Sequence, residues 1–325
     1  MISPDVAAAV TALEREGIVT PEQARLFGRV ARGELVSLAA ALQALLYLGV
    51  VGLTTGVGLL FRDEITNLGP LTIAFAVGLA AALCLTWVRR RSEPFSRGVV
   101  ASPHFAFDYV LALGALLAAA DLAFIETRFS PLGRQWALHL LFVSGAYAGL
   151  AFRFDSRSLF ALALTTFAAW RGVAATSVER AAFGFFDDAS AVRLNALGCG
   201  VAFVLLGRLL ETKRVKAHFE PTSTHLGWLL ILQSIAWGID GGSTAGLHRL
   251  ALIVIGGALA GFSWRGGRFA LFVFGVLAAC LGLLVAIVDF VDNPILGLLL
   301  VGTSAIGLVF GLAAIHRRFP KEAAE

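Results

Sequence analysis

The pattern of apolar and polar positions divides the chain into long uncharged runs joined by short polar stretches. The run Val36 to Phe61 sets the type: 26 residues without one formal charge. As a helix it reaches ~39 Å, more than the ~30 Å hydrocarbon core of a bilayer. Further runs of this kind follow. The pattern predicts ten spanning helices at about 36–61, 70–88, 108–127, 136–152, 158–174, 194–210, 225–239, 248–264, 269–290 and 294–316. The seventh and eighth barely reach the ~17-residue lower limit for a span. As neighbours they also fit one re-entrant hairpin, which leaves the orientation unchanged. The expected fold is all-α, a polytopic transmembrane helix bundle over 36–316, with a tail at 317–325.

Residues 1–35 have a different pattern and read as a cytoplasmic helical hairpin. Ser3-Pro4 starts a helix that runs to about Glu16 and stops at Gly17. Thr20-Pro21-Glu22-Gln23 opens a second helix, with Thr20 as cap and Gln23 three residues on, as a capping box requires. Val6, Val10 and Leu13 recur at helical spacing, as do Leu26 and Val30. A folded lead-in to the membrane and a docking module for a protein partner both fit this pattern. No cleavable signal peptide is expected, since no short apolar region precedes a small-residue cleavage site.

Composition agrees with the membrane reading. Hydrophobic residues are 58% of the chain and charged residues 15%, where soluble domains carry about a quarter charged. The net charge of +4 does not indicate nucleic acid, because the basic residues sit in short loops with no interleaved aromatics. Those loops give an orientation. One side collects 19 Lys and Arg, including Arg89, Arg90, Arg91, Arg97, Arg153, Arg157, Lys216 and Arg268. The other side has 7: Arg62, Arg128, Arg134, Arg171, Arg180, Arg193 and Arg249. The positive-inside rule then puts both termini in the cytoplasm.

Small residues recur as GxxxG at Gly52/Gly56, Gly145/Gly149, Gly257/Gly261 and Gly307/Gly311. They predict close helix packing inside the bundle, and after that contacts between copies in a homo-oligomer. Trp87, Trp136, Trp170, Trp237 and Trp264 fall at expected segment ends, as an interfacial belt requires. The stretch from Thr176 to Val192 reads as the longest outer loop. Within it Phe183, Phe185 and Phe186 stand beside Asp187 and Asp188, so it either lies in the headgroup region or is a plain ordered loop. Cys84, Cys199 and Cys280 lie far apart in apolar runs and read as small buried hydrophobes.

The order of the first 90 residues adds a resemblance. The capped hairpin LEREGIVTPEQARLFGRV is followed by the Gly-rich YLGVVGLTTGVGLLF, the acidic loop RDEITNLGP and a second span closed by Trp87 and three arginines. This resembles a family of predicted bacterial inner-membrane proteins of the domain-of-unknown-function class. The resemblance implies a bacterial, multi-spanning protein of the cytoplasmic membrane. It supplies no activity, substrate or catalytic residue.

Polar residues inside spans are the candidate chemistry, since an ionisable group there costs ~2.5–3.5 kcal/mol. Asp121 lies 13 residues past Asp108, ~20 Å along the third segment. His139 enters one turn below the outer end of the fourth. Arg171 ends the fifth, Asp240 the seventh and Asp289 the ninth. Together they predict a polar pocket open to the outer face, deepest at Asp121 and His139, with Arg171 as counter-charge. Each also has a plainer role. Arg171 snorkels beside Trp170. Asp240 precedes Gly241-Gly242 in a turn. Asp289 flanks the Asn293-Pro294 connection, and Asp121 and His139 bond one another. Gln43, Asn195 and Gln233 read as interhelical hydrogen bonders.

No HExxH, GxSxG, P-loop or dinucleotide fingerprint is present in the sequence. The histidines at 104, 139, 218, 225, 248 and 316 have no metal-ligand spacing. No catalytic residue, metal or cofactor is therefore expected, and membrane lipids are the expected surroundings. The leading functional expectation is a non-enzymatic structural or regulatory membrane component. The alternative is a secondary transporter of a small solute, in which five-plus-five helices form an inverted repeat. Behind both stands an intramembrane transferase on lipid-linked substrates, with Asp121 as base.

Overall fold

Long apolar runs in a chain without strand periodicity become helices, and among the described residues helices alone make up the bundle. The computed structural model describes residues 14, 17, 19–20, 22–24, 27, 52, 69–100, 106–182, 188–239, 242–289, 291 and 294–316. Among the described residues there are nine long helices: α1 Pro70–Arg91, α2 Phe107–Phe129, α3 Leu138–Phe154, α4 Arg157–Ala182, α5 Asp188–Lys213, α6 Glu220–Ala236, α7 Ala245–Arg265, α8 Phe269–Val288 and α9 Pro294–His316. They coincide with the second to tenth expected segments. The first segment, Gly52 apart, lies outside the described residues.

Among the described residues, six stretches are long and apolar enough to cross a membrane: Pro70–Arg91, Phe107–Phe129, Ser190–Lys213, Gly242–Arg265, Phe269–Val288 and Ile295–Ile315. Their outward faces are apolar. On α1, Leu71, Phe75, Leu79 and Leu83 are spaced four apart and exposed, while Ile73, Ala81 and Val88 turn inward. A soluble helix has the opposite arrangement. The molecule is a helical membrane bundle.

The helices pair in sequence as hairpins, α1 with α2, α3 with α4, α5 with α6 and α7 with α8. Single glycines set the close crossings. A β-carbon on Gly200 of α5 or on Gly227 of α6 would come within 2.7 Å of the other's carbonyl oxygen. Gly256 of α7 and Gly275 of α8 repeat the arrangement at 2.7 and 2.5 Å. Serines fasten the same pairs: Ser144 Oγ donates to Ala163 O at 2.9 Å, and Ser223 Oγ to Phe203 O at 2.7 Å. Such bonds satisfy groups that lipid cannot.

The GxxxG glycines 145, 149, 257, 261, 307 and 311 have nothing within 4 Å of the position a side chain would take, so they do not make the internal packing. The crossings fall instead on glycines with no repeat spacing. The seventh and eighth segments do not form one hairpin: α6 pairs with α5, and α7, at 21 residues, pairs with α8. The outer loop expected from Thr176 is largely helix, because α4 continues to Ala182 and α5 begins at Asp188. Trp170 and Arg171 therefore lie in mid-helix rather than at a segment end. Phe183, Phe185, Phe186 and Asp187 lie outside the described residues.

Of the amino-terminal hairpin the structure describes only a few positions. Gly17 has a left-handed backbone, φ 70°, suited to a helix stop. Thr20 and Gln23 exchange both bonds of a capping box: Thr20 N donates to Gln23 Oε1 at 2.9 Å, and Gln23 N to Thr20 Oγ1 at 3.3 Å.

Among the described residues two apolar cores result. One spans α1 to α5 and is closed by Phe219 in the α5–α6 connection. The other joins α6, α7 and α8 through Leu232, Leu252, Leu259, Leu271 and Ala278. The α9 helix adds little, with Leu298, Ile306, Val309 and Phe310 exposed.

Candidate functional site

Four of the five residues of the expected outer pocket are described, and each has its own surroundings. Asp121 sits in α2 against α1, where a β-carbon on Gly78 would lie 2.9 Å from its Oδ2. Its Oδ1 is buried without a hydrogen-bond partner. His139 is the second residue of α3, and its Nδ1 contacts Trp136 O at 2.6 Å. No bond joins it to Asp121. Arg171 of α4 donates to Asn195 Oδ1 of α5 at 2.6 Å and stacks near Trp170. Asn195 is thus an interhelical hydrogen bonder, and Arg171 pairs with it rather than with a carboxylate. Asp289 caps α8 and forms an ion pair with Arg249 of α7. Asp240 lies outside the described residues. Among the four that are described, no hydrogen bond or ion pair joins one to another.

A denser polar centre lies at the opposite, arginine-rich end, where the α1–α2, α3–α4 and α5–α6 connections meet. Asp155 ends α3 with a left-handed backbone, φ 61°, and Lys216 follows α5 with φ 48°. Such conformations are uncommon outside glycine and persist where surrounding contacts hold them. The contacts here are specific. Lys216 Nζ lies 3.1 Å from Asp155 Oδ1, and His218 Nε2 lies 2.6 Å from the same oxygen. Val100 N donates to Asp155 Oδ2 at 2.5 Å. Lys216 Nζ also donates to Gly98 O at 3.0 Å, and its backbone N–H to Arg97 O at 2.8 Å.

Aromatic rings form the floor of this clasp. Phe219 stacks on Phe160 with centroids 4.7 Å apart, and Phe152 meets both rings edge-on. A charge pair over an apolar floor is costly unless every lone pair and proton is used. Here both carboxylate oxygens are occupied. Such a centre fastens three connections and has little free valence for chemistry.

A second centre joins α6 to the α7–α8 connection. Glu220 Oε1 accepts from Arg268 Nη1 at 2.8 Å and from Thr224 Oγ1 at 2.9 Å. Beside it a cavity of about 240 Å³ is lined by Pro221, His225, Arg268 and Phe269. The sequence pattern puts Lys216 and Arg268 among the loop basic residues, does not single out Asp155, and gives none of their partners. The only local signal was charge beside a helix end. Among the described residues no group of three His, Cys, Asp or Glu could hold a metal ion.

The fold defines a class, that of helical multi-pass membrane proteins. Compared with protein-family models, curated proteins and solved structures, the chain matches none.

Proposed function

We propose that this chain is a non-enzymatic structural or regulatory component of a bacterial inner membrane. It crosses about ten times, and both termini are cytoplasmic. The observation that carries the reading is the dispersal of its polar groups. Most are committed to a neighbouring helix or loop, and the clasp at the arginine-rich end is saturated. The resemblance of the first 90 residues to uncharacterised inner-membrane proteins points the same way, as does the 19 to 7 division of basic residues. In this reading the amino-terminal hairpin meets a protein partner, and outward GxxxG faces are available for homo-oligomer contacts.

Complementation tests it. In a deletion strain, a chain lacking residues 1–33 loses function, while the combined variant Asp121→Asn, His139→Gln keeps it. Loss with the second variant, at normal membrane abundance, refutes the structural reading. It would favour a secondary transporter, the reading that the unpartnered Asp121 Oδ1 supports.

A further inference from the structure

We infer that the bundle holds one anionic phospholipid in a groove between α5, α6 and α7, with its phosphate at the arginine-rich end. The groove has a volume of about 790 Å³, at the upper end of the range for small-molecule sites. Its lining is graded. Arg208, Thr224, Ser263, Gly266 and Arg268 stand at the end nearest the loops. Val204, Trp228, Val254, Ile255 and Ala258 line the deeper part.

The length fits an acyl chain. From Val254 to Gly266 the wall of α7 rises 12 residues, ~18 Å at helical pitch, close to the ~15 Å of one leaflet's hydrocarbon. Val254, Ala258 and Phe262 are spaced four apart on this wall, so they form one continuous apolar strip. A free phosphate has no use for such a strip, and an uncharged chain has none for the arginines.

The charge at the mouth selects the headgroup. Arg208 and Arg268 line the groove, and Lys213, Arg214 and Arg265 are exposed in the neighbouring chain ends. Arg208 Nη1 meets Glu211 at 3.0 Å with both side chains about half exposed, a pairing of small energy that an anion can displace. Arg268 gives Nη1 to Glu220, while a guanidinium carries five donors in all. A phosphate diester between the two guanidiniums gains the planar, charge-assisted bonds that arginine makes best.

The test uses the full chain in mild detergent, titrated with phosphatidylglycerol, phosphatidylcholine or inorganic phosphate and followed by native mass spectrometry. One phosphatidylglycerol is retained, phosphatidylcholine binds about tenfold more weakly, and phosphate does not bind. Ala258→Trp, an exposed position on the groove wall, abolishes retention, and Val254→Trp one turn deeper does the same should the first variant express poorly. Arg208→Gln brings the preference for the anionic lipid close to one. Equal retention of the two lipids overturns the inference. So does retention undiminished by the tryptophans, or binding of phosphate alone. A wild-type dimer that Ala258→Trp converts to monomer also overturns it, and assigns the groove to a second copy of the chain.

Discussion

Lys216 Nζ and Asp155 Oδ1 lie 3.1 Å apart, with side-chain exposures of 0% and 2%, at the meeting point of connections far apart in sequence. Removing one partner leaves the other buried and uncompensated, which costs about 3–5 kcal/mol. Asp155→Asn is therefore expected to lower the unfolding midpoint in detergent sharply. The combined Asp155→Asn, Lys216→Met variant recovers much of that loss. Thermal unfolding of the two single variants and the pair gives the coupling directly.

The Gly200–Gly227 and Gly256–Gly275 crossings make a sharper prediction about packing. An added methyl at Gly200 or Gly275 meets backbone atoms, which cannot rotate away. Gly200→Ala and Gly275→Ala are expected to cost about 1–3 kcal/mol each by overpacking. Gly257→Ala and Gly145→Ala, where nothing lies within 4 Å, are expected to be neutral or slightly stabilising, since glycine is the poorer helix former. Detergent-solubilised melting temperatures separate the two groups.

The half-buried bond between Arg171 and Asn195 ties α4 to α5. Asn195→Ala removes it and leaves the guanidinium stacked near Trp170 alone. Interhelical hydrogen bonds of this kind contribute ~0.6–2 kcal/mol. A loss in that range is expected on unfolding, with Asn195→Gln intermediate. A larger loss, matched by Arg171→Leu, would mean that the pair supports more than its own two helices.

What was legible in the sequence follows from the range of each interaction. The helices were legible because lipid demands a continuous apolar run wherever the backbone crosses, and that demand is written residue by residue. The Thr20–Gln23 capping box was legible for the same reason, as its two partners are three positions apart. The true end of α4 was not. Its second half carries Arg171, Glu179 and Arg180, which break the apolar run without breaking the helix. The polar centres were less legible still. Asp155 finds Lys216 and Val100 only after three connections converge, and Glu220 finds Arg268 across two helices. The glycine crossings depend on which face meets which neighbour. Regular GxxxG spacing was therefore a poor guide to them.

Asp121 separates a structural protein from a transporting one. Its Oδ1 is buried without a partner between α1 and α2. An intramembrane carboxylate in that state opposes folding and persists where function requires it. Asp121→Leu is expected to raise the unfolding midpoint, equivalent to about 1–2 kcal/mol for removal of an unsatisfied polar group. Gly78→Ala, which presses on the same carboxylate, is expected to lower it. The decisive comparison is between stability and phenotype in the Asp121→Leu strain. Higher stability with full complementation means the carboxylate has no task, as the structural reading requires. Higher stability with lost complementation is the trade seen where a destabilising group does a protein's work. In that event α1 and α2, rather than the amino-terminal hairpin, carry the function.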